Sequence, residues 1–250
     1  ISNKIITVVP SNSVLDFTFV RNTAKTRVNL SGFIENLPIN VSSIDYTGGG
    51  CPSILIEPQR TNLLAYSEDF DNSYWVKIQS SISQNTNISP SGLLNADTLI
   101  ANGSNAAHSA YANPTSSLVA NTTYTISIYA KKNTNNFIQI APSSTIFNGF
   151  ANFDLNNGLV GSVSAGSTAT ITNVGNNWYR CSLTTFTPST INTGFLFFSV
   201  SLSATSTRFE ANTLTTSIFI WGCQLELGSD ISSYIPTLAS AVTRNADLAT

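Results

Sequence analysis

The 250 residues carry 11 Lys and Arg against 13 Asp and Glu, a net charge of -2, and only 10% are charged, against roughly 25% in an ordinary soluble domain. Without a cationic excess there is no counterion-release term to drive binding to nucleic acid or anionic lipid, so neither is expected as a partner. The longest apolar runs, "GFLFFSV" (194–200) and "SIFIWGC" (217–223), have strand length and fall far short of the roughly 20 residues that cross a bilayer.

Taken in chain order, short apolar runs with a period of two, bounded by Asn, Gly, Ser and Pro, recur throughout and predict an all-β protein. The chain opens on Ile1 without an initiator Met, as expected of a segment or processed product. Residues 1–60 read as an N-terminal arm with strands near 14–20 ("VLDFTFV"), 26–30, 33–35 and 53–57 ("SILIE"), broken by "TGGG" at 47–50. Such an arm holds too few apolar residues to close a core of its own.

From Thr61 the pattern becomes regular. Strands are predicted at 63–66, 74–78, 94–100, 107–113, 122–131, 136–141, 149–154, 169–174, 178–187, 194–203 and 217–227, and this many short strands with polar connectors predict a jelly-roll β-sandwich over 61–234. In "TYTISIYA", Tyr124, Ile126, Ile128 and Ala130 alternate with Thr123, Thr125, Ser127 and Tyr129, one buried and one wetter face. Residues 235–250 are polar and proline-interrupted, and read as an exit linker or the start of another module.

The candidate chemistry is sparse. In "IEPQRTNLLAYSEDFDNSYW" (56–75), acids crowd into one stretch of a weakly charged chain. General acid and base work needs two opposed carboxyls, and Glu68, Asp69 and Asp71 lie too close in sequence to be assigned such positions. A hard cation held by these three is one reading. The other is structural: turn caps, Phe70 and Trp75 entering the core, and Arg60 paired with Glu57 or Glu68. His108, the only histidine, has no nucleophile motif beside it and is expected at a surface or strand edge. Cys51, Cys181 and Cys223 lack metal-ligand spacing and are expected as small buried hydrophobes. Trp75, Trp178 and Trp221 sit in strand context and are expected in the core. For a sugar, which stacks its apolar face on an aromatic ring, the candidates are Tyr111, Tyr129, Phe147 and Phe150.

Three stretches, "TRVNLSGFIENLP" continuing through "IDYTGGGCPSILIEPQRTNLLAYSEDF", then "YTISIYAKKNTNN", then "WGCQLELGSDISSYIPTLASAVTRNAD", resemble in order and spacing a domain of bacteriophage head-fibre and tail-fibre proteins that carries a carbohydrate-binding-module-like jelly roll. The resemblance spans about Asp16 to Asp247. A looser one, carried by "NLLAYSEDFDNSYW" and by Trp178, Arg180 and Ser182, is to glycan-binding jelly rolls of bacterial polysaccharide-degrading enzymes. The first implies a non-enzymatic fibre or spike subunit on the external surface of a virion. It would need no cofactor beyond a possible structural calcium at Glu68, Asp69 and Asp71, and it would assemble as a homotrimer with other virion proteins and adhere to host-surface glycan. Two alternatives stay open: an architectural decoration module that binds no sugar, and a carbohydrate-binding module of a polysaccharide-active enzyme.

Overall fold

The computed structural model describes residues 19–48, 51–147, 149–189 and 194–249; most of the strand expected at 14–20 lies outside them. The arm contributes β1 (Phe19–Val20), β2 (Lys25–Val28), β3 (Ile34–Leu37), β4 (Ile44–Asp45), β5 (Ser53–Ile54) and β6 (Arg60–Asn62). The sandwich follows as β7 (Val76–Ile78), β8 (Ser80–Ile88), β9 (Leu94–Ala101), β10 (His108–Ala112), β11 (Thr123–Lys132), β12 (Phe137–Ile140), β13 (Ala151–Asp154), β14 (Leu159–Val163), β15 (Thr168–Asn173), β16 (Tyr179–Phe186), β17 (Leu196–Val200) and β18 (Ser217–Leu227). The tail adds β19 (Val242–Arg244) and β20 (Leu248–Ala249).

Two antiparallel six-stranded sheets face each other, the first ordered β15-β16-β11-β18-β9-β8 and the second β14-β13-β12-β17-β10-β7. Alternation along each strand sends one set of side chains into the gap. Leu99, Ile126, Ile128, Leu183, Ile220 and Leu225 from the first sheet meet Ala110, Ile138, Ile140, Phe153, Leu196 and Phe198 from the second, all fully buried. Each large apolar side chain contributes about 1.5–3 kcal/mol on burial. Phe70 and Trp75 enter this core from the segment before β7, their rings 4.9 Å apart. The chain is therefore an all-β, jelly-roll-like sandwich, as the periodicity predicts.

Six strands are absent from the sequence reading: the short β4, β6 and β20, and β8, β14 and β19. The edge strand β8, "SSISQNTNI", is polar and largely exposed, so its pairing with β9 has almost no apolar alternation to betray it. β14 is interrupted by Gly161, and β19 lies in the polar tail. In the other direction, residues 63–66 form no strand: Leu64 and Ala65 are buried in an irregular segment that Leu63 ties to β18 through its amide and the Leu225 carbonyl (2.8 Å).

The arm closes its core by borrowing. It lies on the outer face of the first sheet, where Ile34 packs with Ala96, Tyr129, Trp178, Trp221 and Tyr234 in a second buried cluster flanked by Val28, Val174 and Phe219. A bulge in β18 makes room. Gly222 has φ 57°, the register against β11 shifts between Ser127 and Tyr129, and a Cβ at Gly222 would stand 3.0 Å from the Tyr129 ring.

The tail expected as a linker is woven into the arm: β19 pairs with β6 and β20 with β1. A buried ion cluster locks the join. Asp247 takes Arg21 at 3.0 Å and Lys25 at 2.7 Å, Lys25 also reaches Glu57 at 2.8 Å, and Arg244 binds the same Glu57 carboxylate. Burial would raise the Glu57 carboxyl, but Arg244 and Lys25 outweigh it and hold the group below its ordinary range. Arg60 is not Glu57's partner: its Nε lies 3.7 Å from the buried Glu226. Of the charges in the 56–75 stretch, Glu57 thus serves to staple the two chain ends together.

Candidate functional site

Among the described residues, no part of the arm packs on the outer face of the second sheet. Alternation puts Phe197 of β17 and Tyr111 of β10 on this face, because their neighbours Leu196, Phe198, Ala110 and Ala112 point into the core. Tyr111 and Phe197 are register partners, with rings 4.8 Å apart. Phe195 packs edge-on against Tyr111 at 4.6 Å, and Phe209 packs edge-on against Phe197 at 4.8 Å. All four rings are half-buried, their sides held and their outward surfaces open. Val76, opposite Tyr111 on β7, and Ile78 extend the apolar surface and are exposed.

Phe209 does not belong to a strand. It sits in the loop after β17 with φ 54°, a left-handed conformation that a phenylalanine adopts only when its surroundings hold it there. The holders are two amides on the sheet's outer face. Gln139 of β12 accepts the Phe209 amide through Oε1 (2.9 Å) and donates to the Thr207 carbonyl (3.0 Å); Asn152 of β13 donates to the Ser206 carbonyl (2.6 Å). Gln139 also donates to Asn152 Oδ1 (2.8 Å), and both side chains are buried. The loop is fixed before any ligand arrives. It also sets Arg208 over the Phe209 ring at 5.2 Å, with one guanidinium nitrogen donating to the Pro142 carbonyl. The arrangement is a row of rings ending in a guanidinium, suited to stack a flat apolar surface and hydrogen-bond its rim.

Of the residues singled out from sequence, Tyr111 lies in this row. Phe150 is half-buried ahead of β13 and makes no ring contact with the row among the described residues. Tyr129 and Phe147 are corrections. Tyr129 is buried because the face that looked wetter is covered by the arm and tail, and Trp221 and Tyr234 stand edge-on against it at 5.3 and 5.8 Å. Phe147 is fully buried against Tyr124 in the main core. Neither offers a surface to a ligand. Phe195, Phe197 and Phe209 were missed.

Glu68, Asp69 and Asp71 do not converge. Glu68 accepts the Tyr234 hydroxyl and the Asn95 amide, each at 3.1 Å, and burial pushes its carboxyl up. Asp69 caps the turn by accepting the Asn72 amide (3.2 Å) and takes Gln84 Nε2 (3.4 Å). Asp71 is exposed, and its backbone carbonyl binds Lys77 (2.7 Å). Among the described residues no group of three or more His, Cys, Asp or Glu could hold a metal ion. These donors do not fit a calcium ion: Asp69 caps the turn and Glu68 holds Tyr234 and Asn95.

His108, expected at a surface or strand edge, is the first residue of β10 and fully buried, its ring nitrogens 2.6 Å and 3.1 Å from the carbonyl oxygens of Gln79 and Asn212. Cys181 and Cys223 are buried, whereas Cys51 is exposed. All three tryptophans are buried. A cleft of about 380 Å³ remains between arm and first sheet, lined by Asp45, Tyr129 and Arg180 among others. Its charged groups are spent on the fold: Asp45 accepts the Val28 and Thr47 amides, and Arg180 donates to the Ser232 carbonyl and to Ser127.

No family model matches the chain, and no curated protein matches it. Two solved structures are similar to it at a low level. The enzymatically active domain of tailspike protein 4 of bacteriophage CBA120 is 15% identical, with a TM-score of 0.41 over 67% of this chain and 21% of that one. The CBM22-1 and GH10 modules of the Clostridium thermocellum endo-1,4-β-D-xylanase 10B, crystallised with xylohexaose, are 14% identical, with a TM-score of 0.42 over 72% of this chain and 30% of that one. The chain thus spans less than a third of either structure it is similar to.

Proposed function

We propose that this chain is a glycan-binding module of a virion fibre or spike, and that the open face of its second sheet holds the sugar. The observation that carries this reading is the row Tyr111, Phe195, Phe197 and Phe209, four rings half-open on one sheet face and braced by a loop fixed through buried amides. A pyranose presents an apolar C–H face that stacks on such rings, while amide and hydroxyl groups at the rim bond its hydroxyls. Preorganised rings cost little entropy on binding.

The module acts by adhesion without chemistry. Glu57, Asp97, Glu226 and Asp247 spend their oxygens on backbone amides, buried side chains and cations of the fold, a structural employment. The resemblance of the sequence to phage fibre domains supports a location on the outside of a virion. Many weak sites on one particle then sum to avidity. Trimeric assembly belongs to the same proposal, supported by exposed apolar side chains on the arm and tail, Ile39, Ile54, Ile56 and Leu238; light scattering that gives a concentration-independent monomer would remove it.

The test is a glycan array probed with the native chain and with Tyr111→Ala and Phe197→Ala. Stacking of about 1–2 kcal/mol per ring predicts a loss of signal of about five- to thirtyfold for each variant. Retained binding in both, with the fold intact, assigns the sugar to another surface.

A further inference from the structure

On the reading that the open face of the second sheet binds glycan, we infer that Arg208 makes it selective for glycans bearing carboxylates, such as uronic or sialic acid polymers. Arg208 is half-buried at the end of the ring row, over Phe209, and among the described residues it has no carboxylate within ion-pair distance. Arg21, Arg27, Arg60 and Arg244 each have one. Arg180 has none either, but it is spent on a carbonyl, a hydroxyl and the Tyr129 ring. Lys77, Lys131 and Lys132 also lack a carboxylate but bind backbone carbonyls or asparagine side-chain oxygens; what sets Arg208 apart is its place at the end of the ring row.

Its bonding is incomplete. One terminal nitrogen binds the Pro142 carbonyl, and Nε is buried without a partner. Burial with no compensating anion lowers its pKa, so the charge sits in a partly desolvated place and lacks a counter-ion there. A guanidinium presents a planar fork of donors that matches a carboxylate with two parallel bonds. A uronic or sialic residue stacked on Phe197 and Phe209 supplies the missing negative charge beside that fork. The buried Gln139 and Asn152 amides hold Arg208 in place beforehand, so the site does not wait on loop ordering.

The experiment compares binding of polygalacturonate and polysialic acid with binding of xylan and amylose, at low and high salt. The expected result is tighter binding of the acidic polymers, weakened by salt, with Arg208→Gln costing about tenfold on the acidic pair and less than twofold on xylan and amylose. Equal binding of both classes, or an acidic preference that Arg208→Gln leaves intact, overturns the inference. If Arg208→Gln loosens the loop and both classes fall together, Arg208→Lys decides: a retained acidic preference supports the charge, and its loss overturns it. Tyr111→Ala separates this inference from the function beneath it. Loss of all binding in Tyr111→Ala with no acidic preference in the native chain keeps the face and removes only the role of Arg208; no effect of Tyr111→Ala, or no binding of any of the four polymers, removes both.

Discussion

The outer faces of the two sheets start alike and end differently. Each carries aromatic side chains on strands whose other face fills the core, Tyr129 and Trp221 on the first sheet, Tyr111 and Phe197 on the second. On the first sheet the chain before and after the sandwich lies over the rings and buries them to 3% exposure or less; on the second sheet the rings stay half-open. A strand's alternation therefore decides which side chains leave the core, and the packing of distant segments decides whether those side chains meet water.

The comparison breaks most violently where the cover is stapled down. Asp247 bridges Arg21 and Lys25 with all three side chains almost inaccessible. Removing it strands the buried Arg21 without a counter-ion and leaves Lys25 with Glu57 alone, and breaking a buried pair this way costs about 3–5 kcal/mol. Asp247→Ala should lower the denaturation midpoint accordingly and bring quenchers to Trp221 and Trp178, with the secondary-structure signal of the sandwich retained below the transition. A midpoint within 1 kcal/mol of the native chain's, on the scale of ~1 kcal/mol for an ordinary substitution, would mean that the staple is not what holds the arm.

pH offers a second, smaller lever, because buried carboxylates with displaced pKa values sit on or beneath the covered side. Asp97 on β9 accepts the Phe70 amide at 2.9 Å and the Asn85 amide at 3.0 Å. Burial pushes its carboxyl up to about 6, with the two amides opposing and the nearby Asp69 and Asp71 adding to the rise. A raised carboxyl binds its proton more tightly in the folded state, so its contribution is full below the unfolded pKa of 3.8 and is lost as pH climbs through about 6. Glu57 has the opposite sign: its lowered pKa contributes stability above the ordinary value of 4.5 that is lost as pH falls below it. Stability should rise by about 1 kcal/mol from pH 7 to pH 5, then fall as Glu57 is protonated. Chemical denaturation across that range in native and Asp97→Asn chains checks this, and a variant that keeps the same rise would show that Asp97 is not its source.

What the residues announced, and what they hid, follows the same line. The sandwich was legible because its inward residues alternate within single strands, as in "TYTISIYA". Tyr129 was misplaced because its cover, Ile34 and Tyr234, comes from about 95 and 105 positions away in the chain, on the scale of tertiary override of local pattern. Phe195 and Phe197 did carry a signal: in "GFLFFSV" they alternate with Leu196 and Phe198, but apolar residues on both faces read as a strand buried on both sides. Phe209 was the plainest hint, a lone ring in "TRFEANT" between charged neighbours. Its value depended on Gln139 and Asn152, whose grip on the loop no local pattern reveals. Glu68, Asp69 and Asp71 are close in sequence yet do not converge: Glu68 meets Tyr234 and Asn95, Asp69 meets Asn72 and Gln84, and Asp71 stays exposed.

The smallest expected effect is the most informative about the open face. Tyr129→Ala removes a ring from a sealed cluster and should cost about 3–5 kcal/mol, the range for deleting a buried aromatic. Tyr111→Ala removes a ring of similar size from the second sheet, where one side meets water among the described residues, so the cavity is filled by solvent and only part of the burial is lost. About 1 kcal/mol or less is expected, from the edge contacts with Phe195 and Phe197. If Tyr111→Ala proved as costly as Tyr129→Ala, the ring would be a buttress of the sandwich. A cheap deletion that nonetheless abolishes binding is the signature of a residue retained for what it touches outside the chain, because the fold itself asks so little of it.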